Sequence, residues 1–170
     1  MKAIASKKYI DENDKTTAEF FNITKDLLSL EQMKDLDNYI QHLNTSRLQH
    51  SINVAYYTYL LCKKFNLDYT SATRGALLHD FYFYDWRIDK PEKGSHVSIH
   101  PKLALKTAQS LIELNDIEKD SILNHMWPMT HKMPKYKESM IVSLIDKYCT
   151  VLEVFTQFKN RCVQRFRLST

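Results

Sequence analysis

Two glycines, Gly75 and Gly94, and four prolines are all that this 170-residue chain contains. A fold of many strands needs turn residues roughly every 8–12 positions, and glycine and proline supply most of them. So few turn formers specify an all-α chain of long helices joined by short loops. The same shortage removes whole classes of chemistry. Neither a GxGxxG dinucleotide loop nor a GxxxxGK[ST] phosphate loop can be written, and HExxH is also absent. The size is that of one domain able to bury a core, and a hydrophobic content of 44% with 12% aromatics is that of a globular chain.

Charge, cysteine and terminal patterns narrow the class further. The formal charge of +4 is mild and fits a small anionic partner. Cys62, Cys149 and Cys162 form no CxxC pair, so neither a disulfide framework nor a thiolate zinc site is expected, and free thiols fit the cytoplasm. Residues 1–15 are polar, lack the apolar core of a signal peptide and read as a flexible leader. No apolar run is long enough to span a membrane. Residues 159–170 carry Lys159, Arg161, Arg165 and Arg167 and read as a solvated basic tail, not a nucleic-acid arm. Residues 16–158 are left as a single helical domain.

Within that domain, cap signals divide the helices. Thr16-Thr17-Ala18-Glu19 reads as a capping box opening a helix to about Leu28, and Ser29-Leu30-Glu31-Gln32 opens a second to about Leu43. The cluster Asn44-Thr45-Ser46 precedes a long helix to about Phe65, apolar on both faces and therefore central. Asp68 caps a helix that ends at His79-Asp80, and a charged loop follows. Pro101 suits the first turn of the next helix, with His100 just before it. Asn115-Asp116-Ile117-Glu118 is another capping box, for a helix ending near His125. The last helix, from about Lys137 to Phe158, carries Ile141, Leu144, Ile145, Tyr148, Leu152 and Phe155 on one face, with Asp146 at the edge beside Val142, Cys149 and Glu153.

This division places six polar residues on or at the ends of five helices: His50, His79, Asp80, His100, His125 and Asp146. Imidazole and carboxylate together suit Zn, Fe, Mn or Mg. Neighbours on a helix diverge by about 100°, so His79 and Asp80 reach one ion only if it lies off the helix end or between helices. Buried without partners, six such groups are costly, and a shared metal centre satisfies them together.

The order His50, His79-Asp80, Asp146 on successive helices resembles the HD-domain superfamily of metal-dependent phosphohydrolases. The resemblance runs from Arg47-Leu48-Gln49-His50-Ser51 through Leu77-Leu78-His79-Asp80 to Leu144-Ile145-Asp146-Lys147. Ser98-Ile99-His100-Pro101 and Ile122-Leu123-Asn124-His125 resemble the members that hold two metals, among them HD hydrolases of symmetrical dinucleoside tetraphosphates. Segments such as His79-Asp80-Phe81-Tyr82-Phe83-Tyr84-Asp85-Trp86 and His125-Met126-Trp127-Pro128 look like those of small single-domain bacterial members. The resemblance implies an HD-type helical bundle with a metal site between its central helices. It implies two divalent ions, one on His50, His79 and Asp146, the other on His100 and His125, with Asp80 as the bridging and catalytic carboxylate. It further implies hydrolysis of a nucleotide-like phosphate ester or anhydride through a metal-bound hydroxide.

The chain departs from the family where many members follow the dyad with Gly and Lys; here Tyr82 and Phe83 stand. A cation for the phosphate must come from elsewhere. Arg47, three residues before His50 and on its face, is the candidate. His96, four before His100, is an additional ligand, a support for one, or a loop residue. Trp86 and Trp127 read as loop packing or as a base platform, and His42 and His131 as surface residues. Two other chemistries share this ligand set: a di-iron oxygenase, and a non-catalytic module that senses a nucleotide. The pattern leaves the oligomeric state open.

Overall fold

The computed structural model describes residues 15–89 and 94–168, so most of the predicted leader and part of the charged loop lie outside the described residues. Among the described residues the order is α1 (Lys15–Leu28), α2 (Glu31–Asp35), a 3-10 turn (Leu36–Asn38), β1 (Ile40–His42), β2 (Thr45–Ser46), α3 (Arg47–Lys64), α4 (Tyr69–Leu78), α5 (His96–Leu111), α6 (Asp116–Asn124) and α7 (Lys137–Leu168). This is the helical bundle that the scarcity of turn formers specifies. Helix α3 is central as expected, packed on α4 and α7, with α6 closing against α4 and α7. No described helix is long and apolar enough to cross a membrane.

Three of the expected caps form. The Ser46 side chain accepts from the Gln49 N–H, that of Asp68 from Ser71, and Asn115 makes a reciprocal capping box with Glu118. Each satisfies a backbone donor that the first helical turn leaves without a partner. Thr16 lies within α1 and is therefore not its N-cap. Glu19 instead accepts from the hydroxyls of Tyr59 (2.8 Å) and Tyr69 (3.0 Å) and pairs with Lys63.

Three boundaries and one buried face differ from the sequence reading. The second helix stops at Asp35, and the chain turns through Leu43, at a φ of 51°, into an antiparallel hairpin. Long-range bonds hold that turn: the Asn44 N–H donates to Gln157 Oε1 (2.8 Å), and Gln157 Nε2 donates to Thr45 Oγ1 (2.7 Å). Helix α5 starts at His96, so His100 and Pro101 lie inside it and not at its mouth. Helix α7 does not end at Phe158 but continues through the supposed tail to Leu168, for no glycine or proline interrupts it.

The fourth difference concerns which face of α7 the domain buries. Val142, Asp146, Cys149 and Glu153 point inward, while the more apolar face, with Leu144, Tyr148 and Phe155, is exposed.

Candidate metal centre

Helices α4 and α6 end in the same way. His79 and His125 occupy the C-cap positions, and each Nδ1 reaches back three residues to a backbone carbonyl, Ala76 at 2.7 Å and Ile122 at 2.7 Å. A helix end leaves such carbonyls unsatisfied, so the histidine completes the backbone and fixes its own ring at once. A carbonyl only accepts, so Nδ1 carries a proton and Nε2 is the nitrogen that can present a lone pair once the ring is neutral. His100 repeats the device from inside α5, its Nδ1 donating to the His96 carbonyl at 2.8 Å. His50 on α3 uses a carboxylate: both Glu153 oxygens lie 3.1 Å from its Nδ1, and the Asn53 amide donates to the same carboxylate at 3.0 Å.

The Nε2 atoms converge with Asp80 and Asp146 in the space between α3, α4, α5, α6 and α7. His50 Nε2 is 3.1 Å from Asp146 Oδ1; His79 Nε2 is 3.4 Å from Asp80 Oδ2 and 3.7 Å from Asp146 Oδ1. On the other side, His100 Nε2 is 3.3 Å and His125 Nε2 3.6 Å from Asp80 Oδ1. The two oxygens of Asp80 thus face different histidine sets. All six residues are buried, and all six fall in groups whose ligand atoms lie within 4.8 Å of one another.

Do these residues fit metal ions? Two observations say that they do. His79 Nε2 and Asp80 Oδ1 are buried without any hydrogen-bond partner. His100 Nε2 and His125 Nε2 face each other at 2.9 Å, although each ring has its proton committed to the opposite nitrogen. Two lone pairs at that distance repel unless a metal ion or a shared proton lies between them, and the pair is therefore suited to an ion. Ligands about 2.1 Å from an ion lie about 3.0–3.5 Å apart, which is the scale of these separations.

The charges divide unevenly. Burial opposes a proton on His50, but Asp146 and Glu153 outweigh it and push its pKa up to about 9; Asp80 and Asp146 push His79 up to about 10 against the same burial. Burial, then His79 and His100, pulls His125 down to about 3. Burial opposes ionisation of both carboxylates, yet the histidines around them hold Asp80 and Asp146 well below the usual range.

A cavity of about 480 Å³ opens above the cluster, a size common for small-molecule sites. Trp86 and His96 line one side, Val97, Met126, Met129 and Val151 give apolar wall, and Lys147 supplies a cation. His96 stacks between Trp86 (5.4 Å between centroids) and His100 (4.4 Å), and its Nδ1 hydrogen-bonds with the Tyr84 hydroxyl at 2.6 Å. It is a wall and a brace for His100, outside the groups that could hold an ion. Trp127 is half-buried and off this wall, and His131 is exposed.

Arg47 does not stand where a phosphate contact requires. It is fully buried, with Nε donating to Gln41 Oε1 (2.9 Å), one terminal nitrogen to the Tyr82 carbonyl (2.6 Å) and the other to the Tyr84 carbonyl (3.1 Å). Its guanidinium carbon sits 3.7 Å over the Tyr82 ring, which explains the aromatic residue after the dyad. Gln41, oriented by Arg47, donates to Asp80 Oδ2 at 2.5 Å. Arg47 therefore aims the dyad from behind.

Gln41, His42 and Glu153 touch the cluster, and sequence reasoning did not assign them. Glu153 left a signal, seven residues after Asp146 and on its face. The hairpin residues left none, and His42 is not a surface residue: it packs edge-on against His50 (5.1 Å) and bonds through Nε2 to Thr150 Oγ1 (3.1 Å).

Comparisons with known proteins agree with this geometry. The model of the HD domain family matches residues 47–150, a span that takes in all six residues. Ribonuclease Y of Oceanobacillus iheyensis is 40% identical over 70 residues, 41% of this chain and 13% of that protein. Ribonuclease Y of Staphylococcus epidermidis is 35% identical over 94 residues, 51% of this chain and 18% of that protein. The chain thus matches less than a fifth of the length of these relatives. No solved structure gives a significant match. With more than half of its length under the family model, the chain belongs to the HD domain family, within the superfamily of metal-dependent phosphohydrolases.

Proposed function

We propose that the protein hydrolyses a nucleotide-like phosphate ester or anhydride with two divalent ions, one on His50, His79 and Asp146 and the other on His100 and His125, Asp80 serving both. The observation that carries this reading is the placement of Asp80, one oxygen toward each histidine set. When bound, such ions lower the pKa of a coordinated water and neutralise phosphate oxygens.

The chain's own residues do the rest. Asp80 is held in place by Gln41 and through it by Arg47, so its two oxygens stay aimed at the two histidine sets. Asp146 and Lys147 lie side by side, 3.3 Å between Nζ and Oδ2, so a cation borders the phosphate position. Lys147 is half-buried and also donates to the His125 carbonyl at 2.5 Å, which ties it to the floor of the cavity. His96, whose pKa burial and the neighbouring His100 pull down to about 4, is uncharged at neutral pH and offers a flat face beside Trp86 for an apolar or aromatic part of the substrate. Cys62 and Cys149 are buried free thiols, which suits the cytoplasm.

Relatives named ribonuclease support including phosphodiesters among the esters tested. The test is a screen of the metal-loaded protein, wild type and Asp80→Asn, against nucleoside mono- and polyphosphates, dinucleoside polyphosphates, a short RNA and an aryl phosphodiester. Phosphate or nucleotide release that Asp80→Asn abolishes supports the reading. Oxygen uptake with an organic substrate, or tight nucleotide binding with no turnover, refutes it.

A further inference from the structure

The exposed face of α7 carries six large apolar side chains, and the metal centre does not use most of it. Leu144, Tyr148, Val151, Phe155 and Phe158 follow one another at intervals of four, three, four and three, with Val154 beside them. All six are between 42 and 66% exposed. An apolar residue at that alternating spacing is the seam along which one helix packs on another, since 3.5 residues per repeat keeps the seam facing its partner. A helix lying only on its own domain has no need of it: α7 already buries its opposite face through Val142, Asp146, Cys149 and Glu153.

We infer that this face of α7 is the contact between two copies of the chain. The area is right for it. Six large side chains left so open present on the order of 700 Å² per chain, close to the ~800 Å² that each partner buries in a stable interface and above the ~300–600 Å² of a typical monomer's largest apolar patch. The seam is also compatible with itself. None of its six residues is charged, so a two-fold axis lays apolar surface on apolar surface without opposing like charges. Val151 belongs both to the seam and to the cavity wall, so the second copy borders the mouth of each metal site.

The experiment is sedimentation equilibrium of the full chain up to about 100 μM, well above a micromolar Kd. Wild type is expected to sediment as a dimer. The variants Leu144→Glu/Phe155→Glu and Phe155→Lys are expected to weaken association at least ~100-fold, since each buries unpaired charge within the seam. Both should retain wild-type helical circular dichroism and metal content, because these side chains touch neither the buried face nor the ligands. A monomeric wild type across the whole range overturns the inference, whether residues 1–14 or nothing covers the seam. So does a dimer that both variants leave intact.

Discussion

Arg47 is where two roles predict opposite outcomes. If it faced substrate, Arg47→Ala would raise KM and leave folding nearly untouched. Its observed position implies the reverse. Truncation removes three charge-assisted hydrogen bonds and leaves Gln41 and the carbonyls of Tyr82 and Tyr84 without their donor. Each such bond contributes about 1.5–3 kcal/mol, though the three do not add because they share one group. Each buried acceptor left without its donor costs about 1–3 kcal/mol, and with the lost packing on Tyr82 a destabilisation of about 3–5 kcal/mol is expected here. For a domain of this size each kcal/mol moves Tm by about 2–4 °C, so the midpoint should fall by about 6–20 °C. Urea denaturation should show the loss in the transition midpoint at constant slope. Arg47→Lys should recover little, because one ammonium cannot reach acceptors spread around a planar guanidinium. A variant within about 1 kcal/mol of wild type whose only defect is a raised KM for phosphorylated substrates would refute the supporting role.

Three further outcomes follow from how the histidines are held. Glu153→Gln keeps the size of the side chain but removes the charge behind His50, and it should weaken binding of the ion on that side about 10–100-fold with the other side unchanged, read by competition with a chromophoric chelator. Without ions, His50 and His79 hold protons with pKa values raised to about 9 and 10, so metal uptake at neutral pH must displace them. Affinity should therefore rise with pH up to that range and fall on acidification, and calorimetry in two buffers should detect the released protons; uptake at neutral pH with no proton release contradicts the assignment. The linked effect on stability has a definite sign. The raised histidines stabilise the ion-free fold fully below their ordinary value of 6.5, and that contribution is lost as pH rises through about 9 to 10.

What could be read in the sequence was what is local. Ser46, Asp68 and Asn115 cap helices because a cap involves only the next few residues, and all three were legible. That four histidines and two aspartates at helix ends and faces would converge was legible as well, because such groups are costly to bury apart. The hairpin was not, since Gln157 pins its turn from the far end of the chain. The orientation of α7 was not either. Periodicity told which of its residues share a face, but the buried face is the one carrying Asp146 and Glu153, whose burial is offset by His50 and Asn53 on another helix. Arg47 misled for the same reason: its spacing to His50 gave the face correctly, while its three partners lie on segments that only the tertiary fold brings near.

The central claim is that Asp80 stands between two histidine sets, each holding one ion. Metal content of the purified, reloaded protein, measured by inductively coupled plasma mass spectrometry on wild type, His100→Ala, His125→Ala and Asp80→Ala, tests it most directly. Two equivalents per chain in the wild type, about one in either histidine variant and a loss at both positions in Asp80→Ala are the expected result. One equivalent in the wild type, unchanged by His100→Ala or His125→Ala, would contradict it.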